Sequence, residues 1–449
     1  MGAAGAACQT PAMPTSLPAP APARARRRRR LPHVHRAWGI AGITFLTLVV
    51  AAIARSSTSV LIEPIEAEFG WSRGVTSGAV SLTLLLYGLT APFAAALAEQ
   101  FGLRRVVTTA LLLIAAGTGL TLVMTEPWQL YLLWGVVVGT GTGSMALVFG
   151  AIVANRWFAG RRGLVTGIFS ATFATGQLAL LPVLASLAAD HGWRAAAATT
   201  CVLAAVLVPL ASGWIVDRPA SVGLRPYGAD PGSPLDEVPP RPEGGFWTAA
   251  RRAVTELVSA ARTPAFWLLA GTFAVCGWST NGLIGTHLVA AAHDHGMPPT
   301  TAASLLALIG AFDIVGTVGS GWLSDRVDPR LLLLAYYGLR GLSLLGLSSV
   351  LGASVDPPLL VFVVFYGLDW VATVPPTVAL VRQVFGVERA GVVLGWVFAA
   401  HQLGAALAAA LAGTLRELTG SYTPAWFAAG GLCLVAAVAA LLVPRPAPE

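Results

Sequence analysis

Apolar runs of about twenty residues recur along nearly the whole chain, and this recurrence limits the fold more than any other feature. A helix rises about 1.5 Å per residue, so about twenty residues cross ~30 Å of hydrocarbon. By that ruler the 449 residues hold twelve such runs, roughly 38–62, 74–98, 104–124, 129–154, 163–189, 194–216, 266–291, 300–323, 331–351, 358–382, 391–414 and 422–444. Only 11% of residues are charged while 55% are hydrophobic; a soluble chain carries roughly 25% charged residues. Water cannot cover this much apolar surface, so lipid is the solvent. The fold class expected is an all-α membrane protein of 12 transmembrane helices.

All 28 basic residues are arginine and the formal net charge is +7. Arginine keeps its proton at any ordinary pH, so proton exchange inside the membrane falls to Asp, Glu or His. Residues 1–37 read as a disordered basic tail: an Ala/Pro-rich stretch followed by the run Arg24 to Arg30. Placed just before the first apolar run, that cluster is a positive-inside anchor rather than a nucleic-acid patch. The sequence Ala52 to Ala54 mimics a signal-peptidase site, but the run from Trp38 is too long for a signal peptide. With twelve alternating spans, only Arg73, Arg194 and Arg416 fall in outer loops, and Arg55 and Arg340 fall within spans. Both termini, including the short tail 445–449, are therefore expected to be cytoplasmic, in a multi-pass cell (inner) membrane protein. The four cysteines are far apart and form no disulfide framework or metal cluster. No cofactor is expected.

The chain also repeats. "ALAEQFGLRR" (Ala96 to Arg105) follows the second run and "GWLSDRVDPR" (Gly321 to Arg330) follows the eighth. "WFAGRRGL" from Trp157 and "VFGVERAG" from Val384 are separated by nearly the same offset. Duplicated bundles follow: 38–216 and 264–444, joined by a Pro/Gly-rich cytoplasmic linker 217–263 with a short amphipathic helix near Phe246 to Ala261.

These loops resemble those of the major facilitator superfamily. "GWLSDRVDPR" matches that family's loop motif through Gly321, Asp325, Arg326 and Arg330. The first copy is degraded: Ala95 replaces the glycine, Glu99 the aspartate and Gln100 the arginine, with Arg104 and Arg105 trailing. The resemblance implies a cytoplasmic gate, in which a carboxylate at a helix end pairs with arginines and a neighbouring helix N-terminus. "FGWSR" (Phe69 to Arg73), "GWRAA" (Gly192 to Ala196) and "GLRPYG" (Gly223 to Gly228) resemble the bacterial monocarboxylate and oxalate/formate branch. Asp313 falls where monocarboxylate transporters carry a functional aspartate. Those proteins place an arginine one turn later; here that position is Thr317.

An ionised side chain at a span's centre costs about 2.5–3.5 kcal/mol, so each calls for a reason. Four stand out: Arg55, Asp313, Arg340 and Asp369. In the resembled family spans one, four, seven and ten line the cavity. Arg55 and Asp369 are therefore expected to face it, the carboxylate carrying a proton or balancing Arg55. Arg340 and Asp313 are expected as a charge pair between adjacent spans; the coupling proton is assigned to Asp369, Asp313 or His401, with Arg340 as a charge partner. Pro375 and Pro376 free backbone carbonyls or allow a kink. Asn281, His287, His401 and Gln402 complete the expected substrate-binding set, although Asn281 and His287 do not share one tight helix face. Gln177 and Pro182 are assigned to a gate, and Gly139, Gly141 and Gly143 to close helix approach.

No Walker loop, HExxH, nucleophile elbow or metal-spaced cluster occurs, so no enzyme is expected. The leading reading is a monomeric secondary transporter moving a small organic solute, of carboxylate type, with the proton as coupling ion. Export of a lipophilic neutral or cationic compound is the alternative, and a non-transporting membrane sensor a more distant one.

Overall fold

Proline opens many of the apolar runs. Pro127, Pro264, Pro299, Pro329 and Pro357 each stand in the first turn of a helix, where a missing N–H forfeits no bond. The structure, a computed structural model, describes residues 35–71, 73–230 and 243–444, with Gly2 and Gly5 isolated ahead of them. The basic tail before His35, residues 231–242 of the linker and the side chains of Gln177 and Pro182 lie outside the described residues.

In chain order the first ten helices are α1 Arg36–Ser56, α2 Thr58–Phe69, α3 Arg73–Phe101, α4 Leu103–Leu120, α5 Pro127–Leu130, α6 Gly139–Ser144, α7 Leu147–Trp157, α8 Arg162–Ser170, α9 Thr172–His191 and α10 Trp193–Trp214. The amphipathic linker helix is α11 Phe246–Ala260. Then come α12 Pro264–Gly277, α13 Gly285–Asp294, α14 Pro299–Ser324, α15 Pro329–Val350, α16 Pro357–Asp369, α17 Val374–Thr419 and α18 Thr423–Leu441. A π-helical stretch, Trp278–Ile284, joins α12 to α13.

Among the described residues nine helical runs are long and apolar enough to cross a membrane, against the twelve runs expected. The difference lies where helices break or merge. Pro357–Thr419 counts as one run of 63 residues, about 95 Å if straight. It turns sharply at Gly386, whose φ of 77° and ψ of 162° suit a residue without a Cβ. The seventh apolar run is divided by the π-helical stretch, and the fifth is interrupted at Ala171, between α8 and α9.

Packing repeats in the two parts of the chain: α4 lies against α10, and α15 against α18. Contacts between the parts run chiefly through α8 on α14 and α3 on α17. The quoted loop motifs also meet in space. The Phe69 and Trp71 rings stack at 4.6 Å, Trp193 adjoins them, and Glu68 accepts bonds from Trp193 Nε1 at 2.7 Å and Arg194 at 2.7 and 2.8 Å. Tyr227 of "GLRPYG" inserts beside Trp38 and Phe158, and its N–H donates to the Trp157 carbonyl at 2.8 Å.

Candidate functional site

At the end that carries both loop motifs, helices approach closely because glycine lets them. A Cβ on Gly167 would sit 2.6 Å from the Thr317 carbonyl, and Gly163 and Gly321 have no room for one against each other's backbone. On the other interface a Cβ on Gly395 would lie 2.5 Å from Pro92 Cα. Beyond these crossings the elements part. Leu306 to Asp313 of α14, Val80 to Leu89 of α3, Phe173 of α9 and Trp396 to Ala409 of α17 line a chamber of about 940 Å³. In each element the lining residues lie farther from the motif end than the crossing does. The cavity is therefore shut at the motif end and widens away from it.

A smaller chamber of about 110 Å³ continues toward the crossings. Its walls are aromatic, including Tyr87, Phe169, Phe273 and Phe398, and it holds a few small groups at most. Arg55, Asn281, Trp370 and Gln402 line both chambers. The Arg55 guanidinium carbon lies 4.1 Å from the Phe173 ring centroid and 4.7 Å from that of Tyr87, which stabilises a cation in an apolar wall. His401 also lines the inner chamber, between Phe273 at 4.8 Å and Phe398 at 5.9 Å, and its buried Nδ1 has no hydrogen-bond partner. His287 lines neither chamber. Its Nε2 lies 2.9 Å from the Ala409 carbonyl and its ring packs on Tyr422, so it ties α13 to α17.

Asp369 does not face the cavity, which corrects the expectation. Its Oδ2 accepts a bond from Arg340 Nε at 2.6 Å, on the side of α15. Arg340 therefore pairs with Asp369 rather than with Asp313. The reason is a helix break. α16 ends at Asp369 and α17 begins at Val374, which frees the backbone between them. Arg340 donates to the Asp369 carbonyl and, at 3.1 Å, to the Trp370 carbonyl, while Ser320 donates to the Ala372 carbonyl. Asp313 Oδ1 accepts the Val371 N–H at 3.0 Å and the Thr317 hydroxyl at 2.6 Å. Both charged groups thus satisfy polar backbone that the bilayer would leave unpaired. The break turns Trp370 and Val371 into the inner chamber. Pro375 and Pro376 stand in the first turn of α17, where their absent donors forfeit little; they mark the restart of a helix rather than a kink within one. Residue spacing placed Thr317 one turn after Asp313 but gave no sign of Ser320 or of the rings around Arg55. Trp370, directly after the charged residue, was the nearest signal.

The motif residues divide in role. Asp325 caps α8, its carboxylate accepting the N–H groups of Gly163 at 2.6 Å and Leu164 at 3.1 Å, where the helix dipole favours an anion. Glu99 pairs with Arg156 and, at 3.7 Å, Arg218. The trailing basic residues do not close the gate. Arg104 donates to the Ile215 carbonyl at 2.8 Å, Arg105 is exposed, Arg326, just past the end of α14, lies over Trp322 of that helix and Arg330 pairs with Asp328. At the opposite end stand two exposed ion pairs, Glu68–Arg194 and Asp294–Arg416. Hydrogen bonds from Arg194 and then Trp193 hold the Glu68 carboxyl below its usual range, and Arg416 does the same to Asp294.

The family model for the Major Facilitator Superfamily matches residues 44–409, with a second match over 281–449. The chain belongs to that superfamily. This Major Facilitator Superfamily member is a transporter and not an enzyme, and it resembles the monocarboxylate branch. Monocarboxylate transporter 13 of Rattus norvegicus is 30% identical over 416 residues, covering 91% of this chain and 89% of the relative. The uncharacterized MFS-type transporter YcxA of Bacillus subtilis is 25% identical, covering 86% of this chain and 90% of its own. Among solved structures, the human organic anion transporter MFSD10 superposes with a TM-score of 0.68 at 16% identity, covering 91% of this chain and 100% of that one. The proton:xylose symporter XylE gives 0.66 at 17% identity, covering 91% and 96%. At these identities the structures speak for the fold alone.

Proposed function

We propose that this transporter carries a small carboxylate anion, coupled to protons, by alternating access. The observation that carries this reading is Arg55, a permanent cation shared by both chambers, in a largely apolar cavity whose one lining carboxylate among the described residues, Asp313, is taken up by the Val371 N–H and the Thr317 hydroxyl. A carboxylate entering the outer chamber meets that charge and leaves its apolar body against the rings. His401, whose buried Nδ1 has no hydrogen-bond partner and whose ring borders the inner chamber, is the group proposed to take the coupling proton. The likeness to relatives named monocarboxylate transporters supports the substrate class. Cation export loses support because Asp369, its expected cation site, bonds Arg340.

In this reading twelve spans form two six-helix bundles, 38–216 and 264–444, joined by the linker 217–263. Both termini are cytoplasmic in the cell (inner) membrane, and the monomer is the working unit. The mirrored α4–α10 and α15–α18 packing and the arginine distribution support this arrangement. The motif end is then cytoplasmic, and the cavity opens outward.

The test is uptake of labelled small carboxylates into proteoliposomes with an inward proton gradient. Uptake is expected to fall at least roughly tenfold in Arg55→Ala, as for loss of a buried charge-pair partner, and a protonophore should abolish accumulation. A wild-type rate in Arg55→Ala would refute the anion-site assignment. Uptake by His401→Gln that runs down its own concentration gradient but ignores pH would place coupling at His401.

A further inference from the structure

Helix α11 presents to its surroundings a face that water alone covers poorly. At 100° per residue, Trp247, Arg251, Val254 and Val258 form one stripe, which Arg262 continues just past the helix end. All five are exposed, Trp247 by 81%, Val254 by 47% and Val258 by 50%. Ala249, Ala253 and Ala260 lie diametrically opposite and are buried against the rest of the protein. The helix cannot roll to hide the apolar stripe, because it is tied down along its length. Gln100 Nε2 donates to the Gly245 carbonyl at 3.0 Å, and Trp396 Nε1 to the Ala253 carbonyl at 2.9 Å. Arg389 bonds Glu256 at 2.7 Å and Ser259 at 2.8 Å. Trp267, 62% exposed at the start of α12, continues the aromatic edge and donates from its ring N–H to the Ala261 carbonyl at 2.8 Å.

We propose that α11 is a membrane-surface helix that binds anionic lipid headgroups. Trp247, Val254 and Val258 enter the boundary between headgroups and acyl chains, and Arg251 and Arg262 reach the phosphates. An aromatic and aliphatic stripe interleaved with arginines has the chemistry of that boundary. Its charge complements an anionic leaflet, and Trp267 stands where tryptophan marks an interface. The position gives the binding a consequence. α11 holds α3 through Gln100 and α17 through Arg389 and Trp396, the two helices that cross at Pro92 and Gly395. Lipid on α11 therefore steadies the closed motif end.

The experiment uses the full chain with Val258→Cys, spin-labelled in a Cys8→Ser/Cys201→Ser/Cys276→Ser background, in nanodiscs of phosphatidylcholine with or without phosphatidylglycerol. Collisions with oxygen are expected to exceed those with a water-soluble nickel chelate. Phosphatidylglycerol should deepen the label, and Arg251→Gln/Arg262→Gln, checked as a monodisperse folded protein, should lose that shift. Greater access to the nickel chelate in both lipids would overturn the proposal. Burial that ignores phosphatidylglycerol would overturn the anionic-headgroup assignment. Dipolar broadening between labels would assign the stripe to a second copy of the chain and equally overturn it.

Discussion

Arg340 uses all five of its N–H donors inside the bilayer, on the Asp369 carboxylate, two freed carbonyls, Cys276 Sγ and Ser279 Oγ. Removing it strands a buried carboxylate and two backbone acceptors together. Arg340→Met should therefore lower stability by about 3–5 kcal/mol, read as thermal unfolding in detergent. Asp369→Asn, which keeps an acceptor for Nε, should cost clearly less. If Arg340→Met unfolded no earlier than Arg105→Met at an exposed site, the pinning role would be wrong. The sequence marks both residues, since charge inside an apolar run is conspicuous. It does not mark their partnership, because 29 residues and a turn of the chain separate them and linear spacing does not say which helix faces which.

At the scale of elements, the decisive features are a break and a crossing. The break between Asp369 and Val374 was hard to foresee, because the intervening "WVAT" carries no helix-stopping residue of its own. Only the Pro375–Pro376 pair hinted at it, and a proline pair reads equally as a kink. Apolar length located most of the helices, yet it could not distinguish one continuous span from two pieces joined by a π-helical stretch. The crossing of α8 and α14 was legible as a motif, and so was the helix N-terminus that its carboxylate takes: Asp325 accepts the N–H groups of Gly163 and Leu164. Gly321→Leu should hold α8 and α14 apart and bias the cavity toward opening at the motif end. With Leu306→Cys as a reporter on the outer chamber, a membrane-impermeant thiol reagent added outside should react more slowly in Gly321→Leu. Asp325→Asn, which weakens two charge-assisted bonds, should move it in the same direction by a smaller factor. An unchanged rate in both would separate the crossing from gating.

For the whole molecule, closure at one end implies that the opposite end must also close at some point in the cycle, and the exposed pairs Glu68–Arg194 and Asp294–Arg416 stand there. Both carboxyls sit below their ordinary values of 4.5 and 3.8, so their contribution is complete above those values and fades as pH falls through the lower folded-state ones. Thermal stability should thus drop on acidification below about pH 4, and Arg194→Gln should flatten part of that drop by removing one pair in advance. Parallel curves for the two proteins would show that Glu68 adds nothing. One further group is placed where it can answer the question of cargo. Cys276 borders the inner chamber beside Thr373 Oγ1, at 3.1 Å, and no other described cysteine lines either chamber. A solute seated there shields this thiol. The rate at which a small neutral alkylating reagent modifies Cys276, followed by mass spectrometry of its peptide, then becomes a native occupancy meter. A library of unlabelled compounds could be ranked by protection, with no substituted residue and no prior guess at what is carried.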